Sequence, residues 1–322
     1  MTTFVVRRVA WTLVVLFVIT VLVFLIFFAT PGIDPARQMA GRNPDPATIA
    51  AIRHQFGLDR PLPVQYALLM KRLFISRDLV SYAYHFKVIP QITAAAPVTF
   101  SLVVGAAVLW VLGSVVVGVA AAVVRGTILD PLLMILALSG SSLPGLWLGE
   151  IANLLTQSRL HDTVLFQWVP PLGYVPLTEN PWQWFLHLII PWLVLSVLYV
   201  GFYARVLRAR LLETQNEDFV RTARAKGIPE SRVLLRHTLR ASLITFVSLF
   251  GLDFGFLVGG GALLTEVVFG LPGVGLLTYR SLTALDLPVI MAAVIYGAFF
   301  ITLASALVDV VYARLDPRIR PA

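Results

Sequence analysis

The stretch EDFVRTARAKGIPESRVLLRH, Glu217–His237, decides how this chain is read. It packs five Lys or Arg and three acids into 21 residues, in a chain that is only 13% charged overall. Glu217 and Asp218 precede a helical run ending in Arg224 and Lys226, and Gly227 stops it. Pro229 and Glu230 then open a second helix, expected to end near Arg236, His237 and Arg240. Acids at helix starts and cations at helix ends complement the macrodipole, so two short helices joined at a glycine are the simplest local fold. Phe219, Val220 and Ala223 lie on one side of the first helix, where no lipid-buried neighbour accounts for them. That face calls for a protein to cover it. The rival reading is a solvated helical loop whose positive charge only fixes membrane orientation.

On either side of this segment the chain is oily. Of 322 residues, 58% are hydrophobic, and six runs exceed the roughly 18 apolar residues that separate a membrane span from a buried core helix. They are read as 9–29, 97–124, 131–155, 185–203, 243–264 and 288–312. Backbone polar groups find no water in hydrocarbon, so such runs are helical. The expected fold is therefore an all-α polytopic membrane protein with six transmembrane helices. The first run, about 21 residues long, outlasts the 7–15 of a signal-peptide core, and Pro31 stands where small cleavage-site residues belong, so it reads as a retained helix. A net charge of +8 without an aromatic-basic patch or finger spacing gives no ground for a nucleic-acid partner. The absence of cysteine excludes disulfides, thiolate chemistry and Cys-ligated metals.

Orientation follows from the short loops. Residues 204–242 hold nine Lys or Arg against four acids, whereas 156–184 hold Arg159 against Asp162 and Glu179. The positive side faces the cytoplasm, which places both termini there, and Trp168, Trp182 and Trp184 fall in an outer aromatic belt. Residues 1–30 form the first helix, 31–96 a partly helical extracytoplasmic loop, and 97–322 a five-helix core that includes the cytoplasmic segment 204–242. In the loop, Asp45 reads as an N-cap before Pro46, Gly57 as a left-handed helix end, and 63–74 as a second short helix. The loop has no acid, base and nucleophile constellation.

The run DFVRTARAKG, with RVLLRHTLRASL after it, resembles the cytoplasmic EAA-type loop of permeases of binding-protein-dependent ABC importers, in the branch that takes up dipeptides and oligopeptides. RRVAWTLVVLFVITVLVFLIFFATPG resembles that branch's first span, GLDRPLPVQY its outer loop, and VGGGALLTEVVFGLPGVG with VDVVYARLDPRIR its last third, so the likeness covers nearly the whole chain. It implies a coupling helix, with Phe219, Val220, Arg221, Thr222, Ala223, Arg224, Lys226 and Gly227 docked in a cleft of a cytoplasmic ATPase. It also implies a second homologous permease, two ATPase subunits and an extracytoplasmic peptide-binding protein as partners, beside the lipid bilayer. Arg221, Thr222 and Ala223 stand at the EAA triplet, so Arg221 replaces an acid. Ile33 interrupts a Pro-Gly-Asp-Pro run, and Arg77–Val80 stand where Gly-Asp-x-Gly is usual. No GxxxxGK[ST] loop occurs, so this chain is expected to be a non-catalytic subunit without a cofactor, ATP and Mg being held by partners. Nickel and glutathione remain alternative cargoes within the family.

Polar groups inside spans need a reason, because an ionised one costs roughly 2.5–3.5 kcal/mol on insertion scales. Asp253 is read as lining a water-filled passage, with a proton relay in an ion-coupled secondary transporter as the rival. A protease dyad with Asp309 would need carboxylates about 3 Å apart, and Asp309 sits towards the cytoplasmic end of its span. In SGSSLPG, Pro144 kinks or unwinds the third span, which aims Ser139, Ser141 and Ser142 at the pathway; a packed kink with self-satisfied serines is the equal alternative. Gly259 and Gly260 permit close helix approach along the same path. The resemblance assigns Glu266, Phe269, Pro272 and Gly273 to an external gate. No histidine cluster suggests a metal site in the spans.

Overall fold

Helices form wherever the apolar runs predict them. The computed structural model describes residues 2–28, 36–37, 40 and 45–315. Twelve helices are described: α1 (Thr2–Phe28), α2 (Pro46–Phe56), α3 (Leu62–Met70, continued to Ile75), α4 (Val88–Val123), α5 (Leu129–Ser142), α6 (Gly145–Asn153, continued to Arg159), α7 (Pro181–Thr214), α8 (Asp218–Ala225), α9 (Glu230–Gly261), α10 (Leu263–Phe269), α11 (Val274–Thr283) and α12 (Leu287–Leu315). Five are long and apolar enough to cross a membrane, and α5 with α6, bent by 90° at their junction, makes a sixth if the pair is counted as one broken span. Ile33, and the carboxyl-terminal residues after 315, lie outside the described residues.

The expected boundaries shift in a consistent direction. α4 begins at Val88 and carries Pro97 inside, where the sequence reading made Pro97 the start. α7 runs eleven residues beyond Tyr203. The second elbow helix does not end at Arg236–Arg240; it continues through a wider π turn at Val233–Thr238 as far as Gly259, and the left-handed Gly260 breaks it there. Pro144 does break the third span: Leu143 before it is extended, as a residue preceding proline favours. Between α1 and α3, Gly57 closes α2 with φ +70°, but the Asp45 side chain makes no capping bond.

The chain divides into two units. The first comprises 1–99, 255–267 and 272–306. Its core joins Phe24 of α1, Leu69 and Leu73 of α3 and its continuation, Ile92 of α4, and Met291 and Ile295 of α12. Arg8 donates to Ser305 at 3.0 Å, and Thr20 and Tyr66 hydroxyls meet at 2.8 Å. Asp286 accepts from Ser81 and from the Tyr82 N–H, which anchors the turn between α3 and α4 to the residue just before α12.

The second unit comprises 100–254, 268–271 and 307–322. α5 and α7 touch backbone to backbone, since a Cβ at Gly201 would stand 2.2 Å from the Ala137 carbonyl. Below that contact, Arg208 of α7 grips Asp130 of α5 through two charge-assisted hydrogen bonds of 2.7 and 2.5 Å. Trp192 lies over Gly105 and donates to the Ser101 carbonyl at 2.9 Å, locking α4 against α7.

Candidate coupling and translocation site

The elbow folds on itself. Val220 and Ala223 of α8 bury against Val233 of α9, with Ile228 beside them. Contrary to the sequence reading, these two residues need no second protein to cover them, because Gly227 turns the chain back so that α9 does it. Gly227 has φ +73°, its N–H donates to the Arg224 carbonyl, and the Ile228 N–H donates to the Ala223 carbonyl. This is a Schellman closure, with Ile228 on Ala223 as its hydrophobic contact. Arg224 makes two bonds of 3.0 and 2.6 Å to Glu230 across the turn, and its third contact reaches the Gln215 carbonyl at 3.3 Å. At the base, Ser242 of α9 donates to Thr214 of α7.

What the elbow leaves outside is Phe219, Arg221, Thr222 and Lys226. The Thr222 hydroxyl returns to the Asp218 carbonyl. Of the eight expected coupling residues, then, Val220, Ala223 and Gly227 build the elbow, Arg224 clamps it, and the remaining four meet the surroundings.

Inside the spans, Asp253 is half-buried and accepts a 2.5 Å hydrogen bond from the Tyr203 hydroxyl. Tyr203 is wholly buried beside Trp110, whose ring lies 4.6 Å from Tyr199, 4.9 Å from Tyr203 and 5.0 Å from Phe250. The bond therefore joins α7 to α9, the two helices on either side of the elbow. Sequence reasoning found Asp253 and missed Tyr203; its position at the polar end of the fourth apolar run was the available signal.

The three serines before the break satisfy themselves: Ser139 donates to Leu136 O, and Ser141 and Ser142 both donate to Leu138 O. Such back-bonding competes for helical acceptors and favours the bend at Pro144. Gly259 lies against Gly297 of α12, where a Cβ would stand 2.9 Å from the Gly297 carbonyl, and Gly260, at φ +113°, ends α9.

At the expected gate, Glu266 is completely buried. Its carboxylate accepts from the Thr99 hydroxyl at 2.6 Å and from the Leu276 N–H at 2.9 Å, while the Val274 N–H donates to Thr99 at 2.9 Å. A Cβ on Gly273 would stand 2.4 Å from the carboxylate, so the glycine is what lets the acid sit against the start of α11. Glu266 lies beyond the end of the α9 span; burial pushes its carboxyl up to about 7, against the lowering effect of the Thr99, Leu276 and Gly275 hydrogen bonds. Phe269 is buried and Pro272 exposed. Thr99, missed in the sequence, was visible only as a hydroxyl just inside the second apolar run.

With this geometry in hand, comparison with known proteins covers nearly all of the chain. Residues 114–321 match the model of the family described as binding-protein-dependent transport system inner membrane component, and residues 1–103 its N-terminal companion. A putative peptide transport system permease protein of Brucella abortus (strain 2308) is 35% identical over 320 residues, 99% of each chain. The glutathione transport system permease protein GsiC of Salmonella paratyphi A is 36% identical, again over 99% of each. A probable peptide ABC transporter permease of Sinorhizobium fredii is 32% identical over 98% of this chain and 99% of its own.

Proposed function

The chain belongs to the binding-protein-dependent transport system inner membrane component family, and from that premise we propose that it is the membrane-spanning permease subunit of an ATP-driven importer of small peptides. The observation that carries the cargo class is the end-to-end similarity to permeases named for peptides and for glutathione, itself a tripeptide. The subunit forms the translocation pathway with a second permease, receives cargo from an extracytoplasmic binding protein, and is driven by two ATPase subunits that hold ATP and Mg. Both termini are cytoplasmic, as the excess of cations in 204–242 favours.

The elbow is the part that receives work. Its Schellman closure and Arg224–Glu230 clamp make α8 a small rigid body between the ends of α7 and α9. A load on α8 is passed to both helices, and the Tyr203–Asp253 bond, more than ten residues from the elbow along each helix, makes them tilt together rather than splay. Closing and opening of the ATPases thereby alternates access to the pathway, with Asp253 and the bend at Pro144 along it. Around Glu266, Gly273 and Pro272 the outer end of the chain forms the external gate.

The test is uptake. Proteoliposomes holding the complete importer, supplied with its binding protein and ATP, are expected to accumulate labelled di- or tripeptides or glutathione. Accumulation that persists without nucleotide and follows a proton gradient instead would replace this reading with the secondary-transporter one.

A further inference from the structure

The elbow's outward face carries an unbalanced charge. Arg224 and Glu230 neutralise one another. Arg221 has only Asp218, 3.7 Å away, with side chains 69% and 99% exposed, a pair too open to water to cancel. Lys226, Arg232 and Arg236 are exposed, with no ion pair among the described residues. Amid these cations Phe219 is 46% exposed, although Val220 beside it is fully buried. An aromatic ring and an arginine two positions apart, both left out of the local core, are the residue types that anchor protein interfaces.

We propose that the ATPase cleft receiving this elbow is acidic, with a carboxylate that pairs with Arg221 beside an apolar socket for Phe219, and that this match determines which ATPase the subunit accepts. The proposal rests on the reading of the elbow as the ATPase-docking segment. Arg221 suits the role because a guanidinium offers a planar fork that a carboxylate fills with two parallel bonds, and because complementary charge both speeds encounter and rejects wrong partners. Anionic lipid could also attract the cations. A helix lying on a membrane keeps a broad apolar stripe facing outward, however, and here Val220 and Ala223 are turned inward against Val233, so too little apolar surface remains for the bilayer.

The experiment is co-purification of tagged permease complexes with co-expressed ATPase subunits, as wild type, Arg221→Glu, Arg221→Lys, Arg221→Ala and Phe219→Ala. Arg221 is exposed, so unchanged thermal unfolding of each permease confirms that the variants fold. Arg221→Glu is expected to reduce the ATPase retained by at least about tenfold, Arg221→Lys by less, and raising salt is expected to strip ATPase from wild type more readily than from Arg221→Ala. Restoration of Arg221→Glu by an acid-to-lysine change in the ATPase cleft would identify the paired carboxylate. Equal retention by wild type and Arg221→Glu would overturn the inference. So would a loss seen only in nanodiscs containing phosphatidylglycerol and absent in phosphatidylcholine, which would assign the face to lipid. A wild-type permease that carries no ATPase at all would instead defeat the functional reading beneath it.

Discussion

The elbow and the Glu266 cradle solve opposite problems with the same residue types. In the elbow, three small apolar side chains form the interior and the charges point out, so most of its polar groups stay available to another molecule. Around Glu266 the charge points in, and every neighbour is spent on it: a hydroxyl 167 residues away in sequence, backbone N–H groups at the start of α11, and a glycine that leaves room. A polar cluster that satisfies itself reports on stability, whereas one that does not reports on partners. Mutations should therefore separate the two regions by what they disturb.

The largest effect is expected at the cradle. Glu266→Ala orphans the Thr99 hydroxyl and the Leu276 N–H, and should lower stability by about 3 kcal/mol, read as a fall of several degrees in thermal unfolding of the detergent-purified protein. Gly273→Ala should cost about 1–3 kcal/mol by pressing on the carboxylate, yet far less in a Glu266→Ala background, so a double-mutant cycle should be clearly non-additive. Additive losses would mean that the two do not share a site. The cradle also predicts a pH dependence. Since the folded carboxyl titrates near 7 and the unfolded one near 4.5, the folded protein holds a proton that the unfolded chain has released, and stability from this group falls as pH rises through that window. Glu266→Gln should remove that slope.

Smaller effects are expected along the elbow's connections. Tyr203→Phe removes one hydrogen bond to Asp253 and should cost about 1 kcal/mol, but should raise the ATP consumed per peptide transported, because α7 and α9 lose their tie. Asp253→Asn retains an acceptor and should keep that ratio near wild type; a loss of uptake in Asp253→Asn with normal ATP turnover would place the carboxylate against cargo. The smallest change is Gly227→Ala. Nothing lies within 4 Å of an added Cβ, so only the left-handed backbone is penalised, by about 1 kcal/mol, and uptake should weaken without loss of folding.

Legibility from sequence followed the physics of each feature. The spans were visible because length and apolarity alone set them, but their ends were not. Hydropathy stops where the membrane stops, while helical hydrogen bonds continue, as they do past Tyr203 in α7 and before Leu243 in α9. Gly227 was legible because few other residues accept its φ. The false end at Arg236–Arg240 arose because cations after a polar segment mimic a helix terminus whether or not the helix ends. Pro144 could be read as a break, yet Pro97 and Pro191 are tolerated inside α4 and α7; what sets α5 apart in sequence is the run of three back-bonded serines ahead of Pro144. Tyr203 and Thr99 could not be paired with Asp253 and Glu266, since tertiary neighbours leave no local signature.

One dimension of α7 has a mechanical outcome. At about 1.5 Å per residue its 34 residues extend roughly 51 Å, against some 30 Å of hydrocarbon, so more than a third of the rod stands outside the oil. If α8 receives work as proposed, such a rod would serve as a lever with a wet handle, and the Arg208–Asp130 pair, which ties α7 to α5, would be where its swing is held.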